Sequence, residues 1–340
     1  MIDLLQPARP ERGLPPEDLT FIRAYVRQHL YSAPEWRAAY ANAMSVIRRN
    51  CCGDILDPPT EEAAAVAATL GAEGIADLGV LVDAPRVADM LGHFRGCADV
   101  YASHWVGNSD GIARSLEETR RIAHYGCYAS SDVVRCPHLI EIANDPRLLQ
   151  IAEAYIGCPP TLYQINAWWS FAKAGTTAPS AQVLHRDMDD LRFATLFIYL
   201  TDVDEKSGAH RYVKYSHDKT KLAAKLSALG WSEGDIRTAA DPLFRGEGYE
   251  VSALAEALVG PLATVWTGPA GSAVLADTYG LHMGIPLTEG ARLMVWVRYG
   301  LGIPPEPEFG GGAGKFASVL QPRIPHTARA RYINRLLLTD

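Results

Sequence analysis

The feature that most limits what this chain can fold into is a change of periodicity near residue 160. Beyond it, the runs LYQINAWWSFA, FATLFIYL, ATVWTG, SAVLAD and ARLMVWVRY are short and rich in aromatic and branched side chains, with turn signals such as SGAH, TGPAGS and TEGA between them. Short strands with no crossover helix alternating between them predict antiparallel pairing, so the expected core is a β-sandwich or barrel. Residues 217–260 interrupt this pattern. KLAAKLSALG, WSEGDIRTAA and SALAEALVG return to helical spacing, which predicts a partly helical insertion lying over one mouth of the barrel.

Before residue 160 the spacing is helical. Leu19, Phe21, Ile22, Tyr25, Val26 and Leu30 form one apolar face over 16–31, and a second helix is expected after Pro34. A third runs through TEEAAAVAATL, where Thr60 can cap and Glu61 and Glu62 oppose the helix dipole. Further helical patterns cover 84–95, 113–124 and 138–156. The organisation read from this is a helical extension over 1–65, a β-domain over 66–300 carrying the 217–260 insertion, and a tail over 301–340. The tail reads as a flexible PPEPEF and GGGAGK segment ending in a docking helix at ARARYINR, or as a lid or a homodimer contact.

With 48% hydrophobic and 21% charged residues in 340, the chain can bury one large core. A formal net charge of −7 supplies no basic field for phosphate backbones, so nucleic acid is not an expected partner. No apolar run is long enough to span a bilayer, and MIDLLQPARPERG lacks a secretory core; the expectation is a cytoplasmic protein with no membrane partner. The six cysteines form no CxxC pair and read as reduced, structural thiols.

Candidate chemistry begins at His185-Arg186-Asp187. In an extended segment alternate residues share a face, so His185 and Asp187 can aim at one point while Arg186 faces away. A histidine from a distant strand would complete a two-histidine, one-carboxylate set that leaves adjacent metal positions open, as non-haem Fe(II) oxygenases require. GSAVLADTYGLHMG places His282 after a strand and turn, and Arg292 follows ten residues later in ARLMVWVRYG, so a hairpin would bring both to one barrel mouth. On the strand around 164, Gln164, Asn166 and Trp168 share a face that suits co-substrate or substrate contacts, whereas Trp169 points the other way. His210 and His217 read as structural loop residues, and Ser216-His217-Asp218 is not a triad, because triads meet in space. Lys173, Arg192, Lys214 and Arg298 read as solvated charges rather than contacts to an anionic substrate, and GGGAGK lacks the pattern of a phosphate loop.

Taken in order, LHRD, FIYLTDVDEKSGAHRYVKYSHDK and GSAVLAD…LHMG…ARLMVWVRY resemble the phytanoyl-CoA dioxygenase-like branch of the 2-oxoglutarate-dependent oxygenases, over about residues 65–300. The resemblance implies a double-stranded β-helix, the cupin-like jelly roll, with helices outside. It implies iron ligation by His185, Asp187 and His282, with Arg292 pairing the far carboxylate of 2-oxoglutarate. Tyr199, Gln164 and Thr195 would be further co-substrate contacts, and Asn166 and Trp168 substrate contacts. Met294 stands where many relatives carry Ser or Thr, so the hydroxyl there is expected from Tyr199 or Thr195, or the pocket relies on Arg292 alone. Halogenating relatives lack the acid that Asp187 provides. The implied reaction is therefore oxidation, chiefly hydroxylation, of a small organic molecule by Fe(II), 2-oxoglutarate and O2, releasing succinate and CO2. A cupin-like isomerase or hydrolase using its metal as a Lewis acid, and a non-catalytic binding protein on the same fold, are the competing readings.

Overall fold

The computed structural model describes residues 34–105, 108–173, 180–187, 189–243, 253–301 and 317–338. The helix expected over 16–31 and the PPEPEF and GGGAGK stretches lie outside them. The strands are β1 (Ile75–Val80), β2 (Val100–Trp105), β3 (Asn108–Arg114), β4 (Tyr125–Cys127), β5 (Thr161–Phe171), β6 (Phe193–Tyr199), β7 (His210–Val213), β8 (Ala263–Trp266), β9 (Ser272–Ala276), β10 (His282–Gly284) and β11 (Ala291–Gly300). They form a large antiparallel sheet in the order β1-β9-β6-β11-β5-β4-β2-β3 and a small one in the order β10-β7-β8. The two sheets face each other as a jelly roll that main-chain hydrogen bonds do not close into a barrel among the described residues.

The large sheet separates two cores by the alternation of its side chains. Its outer face presents Trp169, Leu196, Ile198, Leu293, Val295, Val297 and Tyr299 to the helices Glu61–Glu73, Ala84–Gly96 and Pro146–Ile156, burying Leu70, Phe94, Leu149 and Ile156 among others. Thr60 caps the first of these helices by accepting from the Ala63 amide. The inner face carries Trp168, Phe197, Tyr199, Val274, Met294 and Trp296, which meet Ala209, Tyr212 and Trp266 of the small-sheet side. Of the adjacent tryptophans, Trp168 faces in and Trp169 faces out, where its indole donates to the Tyr128 hydroxyl at 2.7 Å.

Two expectations change. The first half is not wholly helical: β1 to β4 lie there, and the helical pattern over 113–124 is split between the end of β3 and a helix Leu116–Ile122 that starts at a Ser115/Glu118 capping box. The described helices of the insertion pack on the outer face of the small sheet, where a position over one mouth was expected. Leu222, Leu226, Ala255, Leu258 and Val259 pack on Val213, Leu281 and Leu184, whose alternation turns them away from the inner core. In the tail, the helix Ala328–Ile333 packs on the body of the protein: Ala330 joins Leu320, Ile324, Val134 and Ile140, and Asn334 bonds Asn144 through both side chains. None of the six cysteines forms a disulfide, and burial pushes the Cys136 thiol up to about 12 and the Cys158 thiol to about 11, as for inert structural thiols. No described helix is long and apolar enough to cross a membrane.

Candidate metal centre and co-substrate pocket

His185 and Asp187, separated by nearly a hundred residues from His282, meet it through the backbone. His185 and His282 exchange two amide-to-carbonyl bonds, each 2.9 Å, and the Asp187 amide donates to the Thr278 carbonyl at 2.8 Å. Arg186, between the two candidate ligands, does face away, yet it is not idle: its buried guanidinium donates to the Ser216 carbonyl at 2.9 Å and to the Tyr279 carbonyl, tying the motif to the segment that leads to His282.

Both imidazoles are oriented the same way. His185 Nδ1 lies 2.8 Å from the Val183 carbonyl and His282 Nδ1 lies 2.9 Å from the Gly280 carbonyl. A carbonyl only accepts, so each Nδ1 carries the proton and each Nε2 keeps its lone pair. Those Nε2 atoms lie 3.7 and 3.6 Å from the Asp187 carboxylate oxygens, too long for hydrogen bonds but short enough for one shared ion. All three donor atoms fall within 4.8 Å of one another, and among the described residues no other such group occurs. Burial holds His282 neutral, down to about 3, with the nearby His185 adding to the effect. Burial works the other way on Asp187, but Arg298, His282, His185 and a Thr278 hydrogen bond together bring its carboxyl down to about 2. Two imidazole nitrogens and one anionic oxygen are a donor set that fits Fe(II) with open positions.

Arg292 starts the inner row of β11 and is 3% exposed. Its Nη1 donates to the Gly208 carbonyl and its Nη2 to Ser170 Oγ at 3.2 Å, while Nε is buried with no partner among the described residues. No ion pair joins it to a carboxylate among the described residues; the groups facing it are the Tyr199 and Tyr125 phenols, and burial lowers its pKa. Its place relative to the metal ligands is set by β10: a Cβ on Gly284 would come within 3.4 Å of Nη2, so the guanidinium lies beside the residue two positions from His282. Two residues of strand span about 7 Å, a reach that suits a short dicarboxylate chelating a metal at one end.

The residues around that interval are polar and unsatisfied. Tyr125 OH, Trp168 Nε1, Trp296 Nε1 and His210 Nε2 are buried without partners among the described residues. Tyr125 enters because β4 pairs it with Ser170, which β5 pairs with Arg292. His210 stands opposite Gly284 on β7, its ring 5.5 Å from His282 and 4.8 Å from Phe197, and burial keeps it neutral well below the ordinary histidine value. Sequence reasoning assigned His210 to a loop and missed Tyr125 and Ser170. The alternation of H-R-Y-V would have turned His210 inward had that strand been recognised.

The other expected contacts divide. Tyr199 lies beside Arg292, hydrogen-bonds to it and donates to the Trp266 carbonyl at 3.0 Å. Thr195 and Gln164 do not: they sit opposite Arg298, six residues along β11, where Gln164 Oε1 accepts from Arg298 Nη1 at 3.2 Å and Thr195 Oγ1 lies 3.1 Å from Thr278 Oγ1. Asn166 and Trp168 both face inward between these two rows. Arg298 itself is 6% exposed and bonds Asp187, so it is no solvated charge. Lys173, Arg192 and Lys214, expected as solvated charges, are bonded to the Arg120 carbonyl, to Asn42 and the Ile156 carbonyl, and to Glu73. His217 Nε2 donates to the Gly71 carbonyl of the helix Glu61–Glu73 at 3.1 Å and is not one of the three donors.

Among curated proteins none matches the chain. Solved structures similar to it include the non-heme alpha ketoglutarate dependent epimerase SnoN from nogalamycin biosynthesis, at 17% identity and TM-score 0.44, over 70% of this chain and 82% of that one. HygX from Streptomyces hygroscopicus with nickel and 2-oxoglutarate bound is 15% identical with TM-score 0.43, over 72% of this chain and 88% of its own. AviO1 from Streptomyces viridochromogenes Tue57 is 14% identical with TM-score 0.40, over 73% of this chain and 98% of its own. The family described as phytanoyl-CoA dioxygenase (PhyH) matches residues 113–291, more than half of the chain, a range that contains His185, Asp187 and His282 and ends at the residue before Arg292. With that match and a donor set suited to ferrous iron, the chain belongs to the phytanoyl-CoA dioxygenase family and is a 2-oxoglutarate-dependent non-haem iron enzyme.

Proposed function

We propose that His185, Asp187 and His282 hold the iron, that Arg292 holds the far carboxylate of 2-oxoglutarate, and that the protein hydroxylates, or otherwise oxidises, an unactivated C–H bond of a small organic molecule. The observation that carries this reading is the buried Arg292 guanidinium, which among the described residues faces hydroxyls and no carboxylate, and lies beside the strand that presents His282. Burying a cation without an anion beside it is costly, and a fork of N–H donors fits a carboxylate. When bound together, iron, 2-oxoglutarate and O2 supply the oxidising chemistry and release succinate and CO2.

The chain's own groups prepare the site. The Val183 and Gly280 carbonyls fix both imidazoles with their lone pairs forward. Ser170, Tyr125 and Tyr199 surround the Arg292 end, so a carboxylate there can receive hydroxyl donors as well as the guanidinium. Neutral His210, between the two ends, can donate one hydrogen bond from Nε2 to the co-substrate. Trp168 and Trp296, packed edge to face with ring centres 5.7 Å apart, wall the interior against water. Asp187 leaves all three protein donors in place, which favours oxidation of substrate over delivery of a halide.

Anaerobic addition of 2-oxoglutarate to the Fe(II) protein should produce the visible charge-transfer absorption of a chelated keto acid, and admission of O2 should yield succinate. His185→Ala should reduce bound iron to background. Arg292→Ala should keep iron but weaken 2-oxoglutarate by about 10- to 100-fold, the cost of losing hydrogen bonds to a charged group. Unchanged 2-oxoglutarate affinity in Arg292→Ala would remove the co-substrate assignment.

A further inference from the structure

Arg298 closes the inner row of β11 opposite Gln164 on β5 and Thr195 on β6. Its Nη2 donates to Asp187 Oδ2 at 2.7 Å, its Nη1 donates to Gln164 Oε1 at 3.2 Å and meets Asp189, and its face lies 3.5 Å from the centre of the Trp296 ring. From the other side, Thr278 bonds the Asp187 carboxylate and accepts its amide at 2.8 Å, and Thr195 lies 3.1 Å from the Thr278 hydroxyl. One polar row across three strands is therefore arranged around a single carboxylate.

We infer that Arg298 is a positioning residue that engages Asp187 Oδ2 and thereby disfavours binding of one metal ion through both carboxylate oxygens, of which Oδ1 lies 3.7 Å from His185 Nε2 and Oδ2 3.6 Å from His282 Nε2. This rests on the reading of Asp187 as an iron ligand. A carboxylate with both oxygens free can bind an ion through both, which would fill one of the positions that the two-histidine, one-carboxylate face must keep open for the co-substrate and O2. A planar guanidinium, stacked on Trp296 and forked between Gln164 and Asp187, holds Oδ2 in a way that a point charge on a flexible stem cannot. The charge of Arg298 also opposes a divalent cation nearby, so its removal does not weaken metal binding through electrostatics. The signature is a split: co-substrate chelation falls while metal affinity stays.

The test uses the full chain, loaded anaerobically with Fe(II) and titrated with 2-oxoglutarate, with metal affinity measured separately. Arg298→Gln should bind metal as tightly as the parent or more so, yet bind 2-oxoglutarate about tenfold more weakly, with the charge-transfer absorption diminished. Arg298→Lys should fall between the two. A glutamine variant with parental absorption and 2-oxoglutarate affinity would overturn the inference, as would parallel loss of metal and co-substrate in a folded protein. If the glutamine variant does not fold, the lysine variant decides: weakened 2-oxoglutarate with metal retained supports the role, and parental affinity overturns it. Absence of the absorption in the parent protein would overturn the oxygenase reading itself, and this inference with it.

Discussion

At Arg292 the hydroxyl that Met294 cannot provide comes from across the sheet. Ser170 Oγ already accepts from Nη2, and Tyr125, two strands away, is aligned with it by register. Burial pushes the Tyr125 phenol far above its ordinary range despite the pull of Arg292, so it stays protonated and able to donate. Tyr125→Phe should therefore weaken 2-oxoglutarate binding about tenfold, the usual worth of one hydrogen bond to a charged group, without changing iron content. Parental affinity in that variant would exclude the phenol from the pocket. Arg292 was legible because a histidine, a turn and an arginine-bearing strand follow one another in sequence. Tyr125 was not, because its strand is three residues long and carries no period of its own. Arg298 lay in between: the alternation R-L-M-V-W-V-R puts it on the face of Arg292, but nothing local says that a carboxylate waits there.

The element that brings His282 to His185 is the short segment from Asp277 to β10, and it is built with no spare room. Gly280 offers its carbonyl to His282 Nδ1, and a Cβ there would lie 1.9 Å from Tyr212 OH and 2.5 Å from its ring carbon, displacing the hydroxyl that donates to the Asp277 carbonyl at 2.8 Å. Gly280→Ala should cost about 1–3 kcal/mol of stability, as overpacking does, and should weaken metal binding as well; chemical denaturation and metal titration measure the two. Parental metal affinity would show that the segment can yield without moving His282. The long strands β5, β6 and β11 were readable from composition, whereas β1 to β4, β7 and β10 were not. They are three to seven residues long, and several lie at sheet edges where half-exposed side chains blur the alternation. The insertion was recognisable as helical, but its seat on the outer face of the small sheet depends on Val213 and Leu281, which only the folded sheet turns toward it.

Over the whole molecule, burial of neutral histidines links stability to pH. His210 is depressed by burial first and by His282 next, and His217 by burial first. Because the folded pKa of each lies below the unfolded value of 6.5, the unfolded chain takes up protons that the folded one refuses. Their contribution is thus complete above the unfolded value and is lost progressively as pH falls through it toward the folded value. The metal-free protein should show a falling urea midpoint between about pH 7 and 5.5, and His217→Gln should flatten that slope; a midpoint independent of pH would contradict the burial account. The sequence alone determined the antiparallel β core, the His185/Asp187 pair and the His282-to-Arg292 block, because each is written in neighbouring residues whose spacing is a strand or a turn. Only the tertiary structure decided which hydroxyls surround Arg292, that His210 looks into the site, and that Arg298 holds Asp187. Those contacts join residues tens to over a hundred positions apart, and sheet register, a property of pairing between strands, is what brings them together.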